Sequence, residues 1–165
     1  MNRFLILSLL VFSSLALAVD AGDPAPGWKR FDLNGTLVTY PPVNPQRKTV
    51  VIFWATWCPY CQALMPYLAD IQSDYGKDGV QIVAINMKET DDARAYLKSG
   101  GYDFVTILDG DDVAKDYAVE YLPGLFVVDA DGTVLFRRAW TELPAGRQVA
   151  ELWDSQVRAA LGPVD

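Results

Sequence analysis

Thr49-Val50-Val51-Ile52-Phe53-Trp54-Ala55-Thr56-Trp57-Cys58-Pro59-Tyr60-Cys61 contains both cysteines of the 165-residue chain. Residues 49–54 are apolar and rich in β-branched side chains, which reads as a central strand buried on both faces. Downstream, Ala63, Leu64, Tyr67, Leu68 and Ile71 recur at three- and four-residue spacing, so residues 58–75 read as a helix. Pro66 lies inside it and removes the hydrogen bond to the Gln62 carbonyl, which predicts a kink. Two thiols at i and i+3 on a strand-to-helix junction can close a disulfide within one turn. A helix start also stabilises negative charge, because its first N–H groups lack partners and the macrodipole is positive there. In Cys-x-x-Cys motifs so placed, the thiol pKa falls to roughly 3.5–7.5 from about 8.5. Cys58 therefore reads as the attacking thiolate and Cys61 as the resolving thiol, which is equipment for thiol–disulfide exchange. Pro59 suits the first helical position, where a missing N–H costs nothing, and it withholds a donor from the sulfur. Tyr60, between the thiols, shapes the rim of the site. Trp54 reads as buried support, while Trp57 reads either as packing or as a substrate-facing flank.

Composition narrows the alternatives. The chain is about half apolar and carries a formal charge of −7, with no basic patch beyond the scattered pairs Lys29-Arg30, Arg47-Lys48 and Arg137-Arg138. Nucleic acid is thus not an expected partner. Histidine is absent, which removes Cys–His and Ser–His catalysis and the commonest metal ligand. Two thiols alone fall short of a zinc site, so no metal and no other bound cofactor is expected. A purely structural bridge is a poor reading, since one spanning two residues constrains very little of the unfolded chain.

Residues 1–18 look like an address label: Met1-Asn2-Arg3 is charged, Phe4 to Leu17 is apolar, and Ala16-Leu17-Ala18 is a small-x-small cleavage site. The expectation is a cleaved secretory signal, with an uncleaved membrane anchor as the alternative, and hence a periplasmic or otherwise extracytoplasmic protein. Residues 19–27, small, acidic and rich in Pro and Gly, read as a flexible lead-in to a domain over 28–165. Residues 28–40 alternate around Asn34-Gly35, a hairpin signal, before Pro41, Pro42 and Pro45 break the pattern. Residues 80–87 read as a strand, 91–99 as a helix closed by Gly100-Gly101, and 104–108 as a short strand. A short helix over 112–117, capped by Asp111 or Asp112, precedes strands at 125–129 and 134–140 joined by a turn at Asp131-Gly132. An amphipathic helix over 144–161 closes the order. No repeat, low-complexity tract or second domain is visible.

From about Trp28 to about Leu161 the chain resembles the thioredoxin superfamily, and most closely its exported TlpA/ResA-like branch. Residues 53–61, Pro66 eight residues after Cys58, and Tyr117-Ala118-Val119-Glu120-Tyr121-Leu122-Pro123-Gly124 followed by Phe126-Val127-Val128-Asp129-Ala130-Asp131-Gly132 carry the likeness. The resemblance implies an α/β thioredoxin-like fold, a mixed central sheet flanked by helices, with an N-terminal β-hairpin extension. It implies a cis Leu122–Pro123 bond facing Cys58, where the Leu122 backbone pairs with a substrate strand and Pro123 keeps an N–H away from the thiolate. It further implies protein thiols and disulfides as substrates and a membrane electron donor, because most of that branch are reductases. The Pro-Tyr dipeptide is similar instead to those of glutaredoxins and DsbA-like oxidases, so an oxidase or isomerase stays open, as does a non-catalytic binding module. Two departures stand out. The positions where related chains carry a buried carboxylate hold Ile52 and Leu64, and the usual neighbouring lysine corresponds to Ala84. Glu120 lies near the predicted loop but reads as a solvated surface charge.

Overall fold

The computed structural model describes residues 18–42 and 47–163; the signal expected over 1–18 lies, save for Ala18, outside the described residues, as does Pro45. The elements run β1 (Trp28–Phe31), β2 (Leu37–Tyr40), β3 (Thr49–Trp54), α1 (Pro59–Tyr75), β4 (Gln81–Asn86), α2 (Ala93–Gly100), β5 (Val105–Ile107), α3 (Asp111–Asp116), β6 (Gly124–Val128), β7 (Val134–Arg137) and α4 (Arg147–Leu161). Five strands form one sheet in the order β5-β4-β3-β6-β7, and β1-β2 form a separate two-stranded sheet. β3 runs parallel to β4 and antiparallel to β6, so the central sheet is mixed, as expected.

All six residues of β3 are buried, and their alternation sorts the core into two layers. Val50, Ile52 and Trp54 face the layer built with α1, α2 and α4, joined by Leu64, Leu68, Leu97, Trp153 and Val157. Val51 and Phe53 face the layer that holds Val113 and Tyr117 near α3 together with Trp28 and Tyr40 of the hairpin. Burying each such large side chain is worth roughly 1.5–3 kcal/mol, which is why the apolar run of residues 49–54 can only be the middle of the sheet. Arg158 of α4 reaches Asp74 of α1 at 2.7 Å and tightens the helix pair over this layer.

Several boundaries differ from the sequence reading, each for a local reason. Asn34-Gly35 does not make a two-residue turn. Asp32 accepts the N–H groups of Asn34 (2.9 Å) and Thr36 (2.7 Å), which widens the connection to residues 32–36. The expected cap of α3 moves to Gly110, while Asp111 and Asp112 enter the first turn and Asp112 pairs with Arg30 of β1. β7 stops at Arg137 instead of residue 140, and α4 starts at Arg147. Residues 19–27, expected as a flexible lead-in, lie along the outer edge of β7. Gly22 N donates to the Val134 carbonyl (2.9 Å), Val134 N to Asp23 (2.9 Å) and Ala25 N to Gly132 (2.8 Å). An edge strand offers unpaired N–H and C=O groups, and this segment takes them.

Gly124, the first residue of β6, has no room for a side chain: an added Cβ would meet both Val119 γ-carbons at 2.8 Å and Phe53 Cδ2 at 3.1 Å. The β-branched Val119 cannot swing clear. Gly124→Ala should therefore cost about 1–3 kcal/mol, read as a lower urea midpoint at unchanged m. A wild-type midpoint would show that this contact is loose.

Candidate active site

β3 ends at Trp54 and the chain turns through Ala55-Thr56-Trp57 into α1. Cys58 is the N-cap of that helix, with φ −86° and ψ 106°, and its sulfur accepts the Cys61 N–H at 3.1 Å. One of the orphan donors of the helix start thus points at the sulfur. Pro59 follows at the first helical position. Cys58 and Cys61 are joined as a disulfide. Cys58 is 3% exposed and Cys61 is fully buried, so the first thiol is the one nearer solvent.

The turn is held from two directions. From within α1, Gln62 Nε2 donates to the Thr56 carbonyl at 2.5 Å. From beyond the end of β4, Glu89 accepts Thr56 Oγ1 (2.6 Å), Thr56 N (2.9 Å), Asn86 Nδ2 (2.7 Å), Thr90 N (2.9 Å) and Asp91 N (3.1 Å). Trp57 donates its indole N–H to the Lys88 carbonyl at 2.7 Å and leaves 48% of its surface exposed. Trp57 is therefore fixed at one edge and open at the face, whereas Trp54 is fully buried against Tyr96. Tyr60 is half-buried; its hydroxyl donates to the Leu143 carbonyl (3.1 Å) and its ring lies 5.9 Å from Trp153 of α4.

Leu122–Pro123 is a cis peptide, as is Tyr40–Pro41, which the sequence reading did not anticipate. Because Gly124 pairs with Phe53 across the antiparallel β3–β6 ladder, Leu122 and Pro123 extend toward the end of β3 from which Cys58 follows. Leu122 is half-buried and Pro123 buried.

Sequence reasoning missed Glu89. The signal was available: Trp54 stands opposite Asn86 in the parallel β3–β4 register, so residues just past Asn86 arrive beside residues just past Trp54. Burial acts to raise the Glu89 pKa, but hydrogen bonds from Thr56, Asn86 and Thr90 outweigh it and hold the group at about 2. Glu89 is thus a fixed anion at neutral pH and a poor acceptor for a thiol proton. Ile52, Leu64 and Ala84 are all fully buried in the apolar layer that contains Cys61, and Glu120 is exposed.

A depressed carboxyl pKa stabilises the fold above the unfolded value, and the gain is lost as pH falls through the folded value. Glu89→Gln should accordingly lower the melting temperature at pH 7, and the gap should close as pH falls from about 4.5 to about 2. A gap that is constant over that window would remove the ionic role assigned to Glu89.

Known proteins are similar to this chain in sequence and fold. The family model described as Redoxin matches residues 20–149. The thiol-disulfide oxidoreductase ResA of Bacillus thuringiensis subsp. konkukian is 32% identical over 119 residues, covering 71% of this chain and 68% of its own length. ResA of Geobacillus thermodenitrificans is 34% identical over 123 residues, with 71% and 68% covered. Among solved structures, a Chlorobium tepidum chain described as a thiol:disulfide interchange protein DsbE superposes with a TM-score of 0.73 at 28% identity, over 88% of this chain and all of that one. With a buried disulfide capping a helix start on a thioredoxin-like sheet, the chain belongs to the Redoxin family and is a ResA/TlpA-like thiol-disulfide oxidoreductase of the thioredoxin superfamily.

Proposed function

We propose that the protein is an extracytoplasmic reductase of protein disulfides, recharged by a membrane electron donor. In the reduced state the Cys58 thiolate attacks one sulfur of a substrate disulfide, and the first substrate thiolate leaves. Cys61, once deprotonated, attacks the Cys58 sulfur of the mixed disulfide, and the second substrate thiolate leaves. Two electrons pass to the substrate and the Cys58–Cys61 disulfide remains. The donor must return two electrons by the reverse exchange.

The observation that carries the reducing direction is the setting of the Cys58 sulfur. It is buried, and among the described residues its one hydrogen-bond donor is the Cys61 N–H. The chain has no histidine to supply a neighbouring cation, and the Glu89 carboxylate, its pKa lowered by its hydrogen bonds, holds the turn at Thr56, two residues before Cys58. Burial and a nearby anion both disfavour a thiolate. A less stabilised thiolate makes the reduced form a stronger reductant. The helix N-terminus acts in the opposite sense and favours an oxidase.

Redox equilibrium of the mature domain, followed by tryptophan emission, decides between them. A potential near or below about −230 mV is expected; one between about −120 and −180 mV would make the protein an oxidase or isomerase. A disulfide that resists reduction well below about −300 mV would be structural. Cys61→Ser should accumulate mixed disulfides with cellular proteins through Cys58, and Cys58→Ser should not. A Cys61→Ser protein that traps nothing would instead favour a binding module. Export is tested by expressing the full chain in a bacterium and finding it outside the cytoplasm, with an intact mass lacking residues 1–18.

A further inference from the structure

β7 ends on Arg137, and the next residue, Arg138, still pairs with the sheet through its N–H to the Leu125 carbonyl (2.8 Å); consecutive residues of such an extended stretch project to opposite faces. On the α3 side, Arg137 lies over the Phe126 ring and donates to the carbonyls of Val19 (3.0 Å) and Ala118 (3.4 Å). On the α1/α4 side, Arg138 donates through Nε to the Pro123 carbonyl at 2.6 Å. Ala118 lies near the start and Pro123 at the end of the segment, residues 117–123, that joins α3 to β6. The end of β7 and the residue after it therefore hold both ends of this loop, through one guanidinium on each face of the sheet.

Arg138 occupies an expensive position. Its guanidinium is half-buried and no carboxylate pairs with it among the described residues. Burial, followed by the charge of Arg137, lowers its pKa. Burying an uncompensated cation costs stability, and here the compensation comes from two carbonyls, Pro123 and Ala139, and from the Trp153 ring 5.0 Å away. Trp153 in turn packs on Tyr60, between the two cysteines. A neutral side chain would hold β7 against the sheet without that cost. What the guanidinium adds is a directed bond to one backbone carbonyl.

The loop it holds has an unused backbone. Leu122 is half-buried, yet neither its N–H nor its C=O takes a hydrogen-bond partner among the described residues. It lies on the extension of β6, at the end of the sheet from which Cys58 follows. Buried or half-buried backbone groups need partners, and an extended peptide supplies them by adding a strand. Beside the loop, Tyr121 (64% exposed) and Trp140 (72% exposed) meet edge to face at 5.8 Å and offer apolar surface to such a segment.

We infer that Arg138, seconded by Arg137 on the opposite face, is a positioning residue for protein disulfides: it fixes the Pro123 carbonyl so that the Leu122 backbone meets an extended substrate segment next to Cys58. The inference rests on the thiol–disulfide exchange reading and adds to it the residue that positions the backbone beside Cys58. A small disulfide needs only access to the Cys58 sulfur, whereas a protein disulfide also needs the presented strand.

The test is single-turnover oxidation of the reduced protein, with insulin as the protein disulfide and dithiodipyridine as the small one. Arg138→Met keeps the aliphatic cover over Trp153 and removes the donor. It should raise the half-saturating insulin concentration by about fivefold or more, the loss expected of one hydrogen bond, and leave the dithiodipyridine rate within about twofold. Arg138→Lys, which retains a cation and one donor, should fall between wild type and Arg138→Met. Wild-type insulin saturation in Arg138→Met, or an equal slowing of both disulfides, would overturn the assignment. Should Arg138→Met fail to fold by near-ultraviolet circular dichroism, Arg138→Lys and Arg137→Met carry the test, and absence of the split in both overturns it. A wild-type protein inert toward both disulfides would instead defeat the exchange chemistry itself.

Discussion

The turn from β3 into α1 must bring a sulfur to a helix start while the strand before it stays wholly buried. β3 has no hydroxyl, amide or charged side chain apart from Thr49 at its far end, so the polar groups at Thr56 in the turn are met by side chains from α1 and from beyond β4. Gln62 reaches back to the Thr56 carbonyl, and Glu89 takes the Thr56 N–H and hydroxyl. Leaving a buried donor or acceptor without a partner costs about 1–3 kcal/mol, so these bonds decide whether the turn has one conformation. The placement of Cys58, Trp57 and Tyr60 follows from that single conformation.

The electrostatics of the site are a contest between two local effects. The helix start and the Cys61 N–H favour a charged sulfur, while burial and the Glu89 carboxylate disfavour it. In a chain without histidine, no titrating imidazole intervenes near neutral pH. The same carboxylate, held well below the usual carboxylate range by its hydrogen bonds, sets geometry at the turn and is a poor acceptor for a thiol proton.

Recognition is organised at the other edge of the same sheet end. The α3–β6 loop is held by β7, and β7 is in turn covered on its outer edge by residues 22–25. Packing thus runs from the chain's early residues, through an edge strand, to the backbone beside the disulfide. Arg137 and Arg138 look like an ordinary solvated pair in one dimension. Only the pleat, which sends them to opposite faces, makes them two ends of one clamp.

What the sequence by itself determined is local and periodic. The buried run of residues 49–54, the helical spacing after Cys58, the i, i+3 thiols and the proline at the first helical position are all short-range patterns, and each survives folding within a residue or two. Alternation around Asn34-Gly35 marked the hairpin, and the ResA/TlpA-like resemblance added the mixed sheet. The tertiary structure decided what depends on partners distant in the chain. Glu89 became part of the site because parallel register sets Asn86 beside Trp54. Arg138 acquired a role because β7 returns next to Pro123. Residues 19–27, too polar and too rich in Pro and Gly to read as structure, were ordered by the free edge of a strand more than a hundred residues away. Periodicity records which face of an element is buried; it carries no record of which hydrogen-bonding groups another element will bring to it.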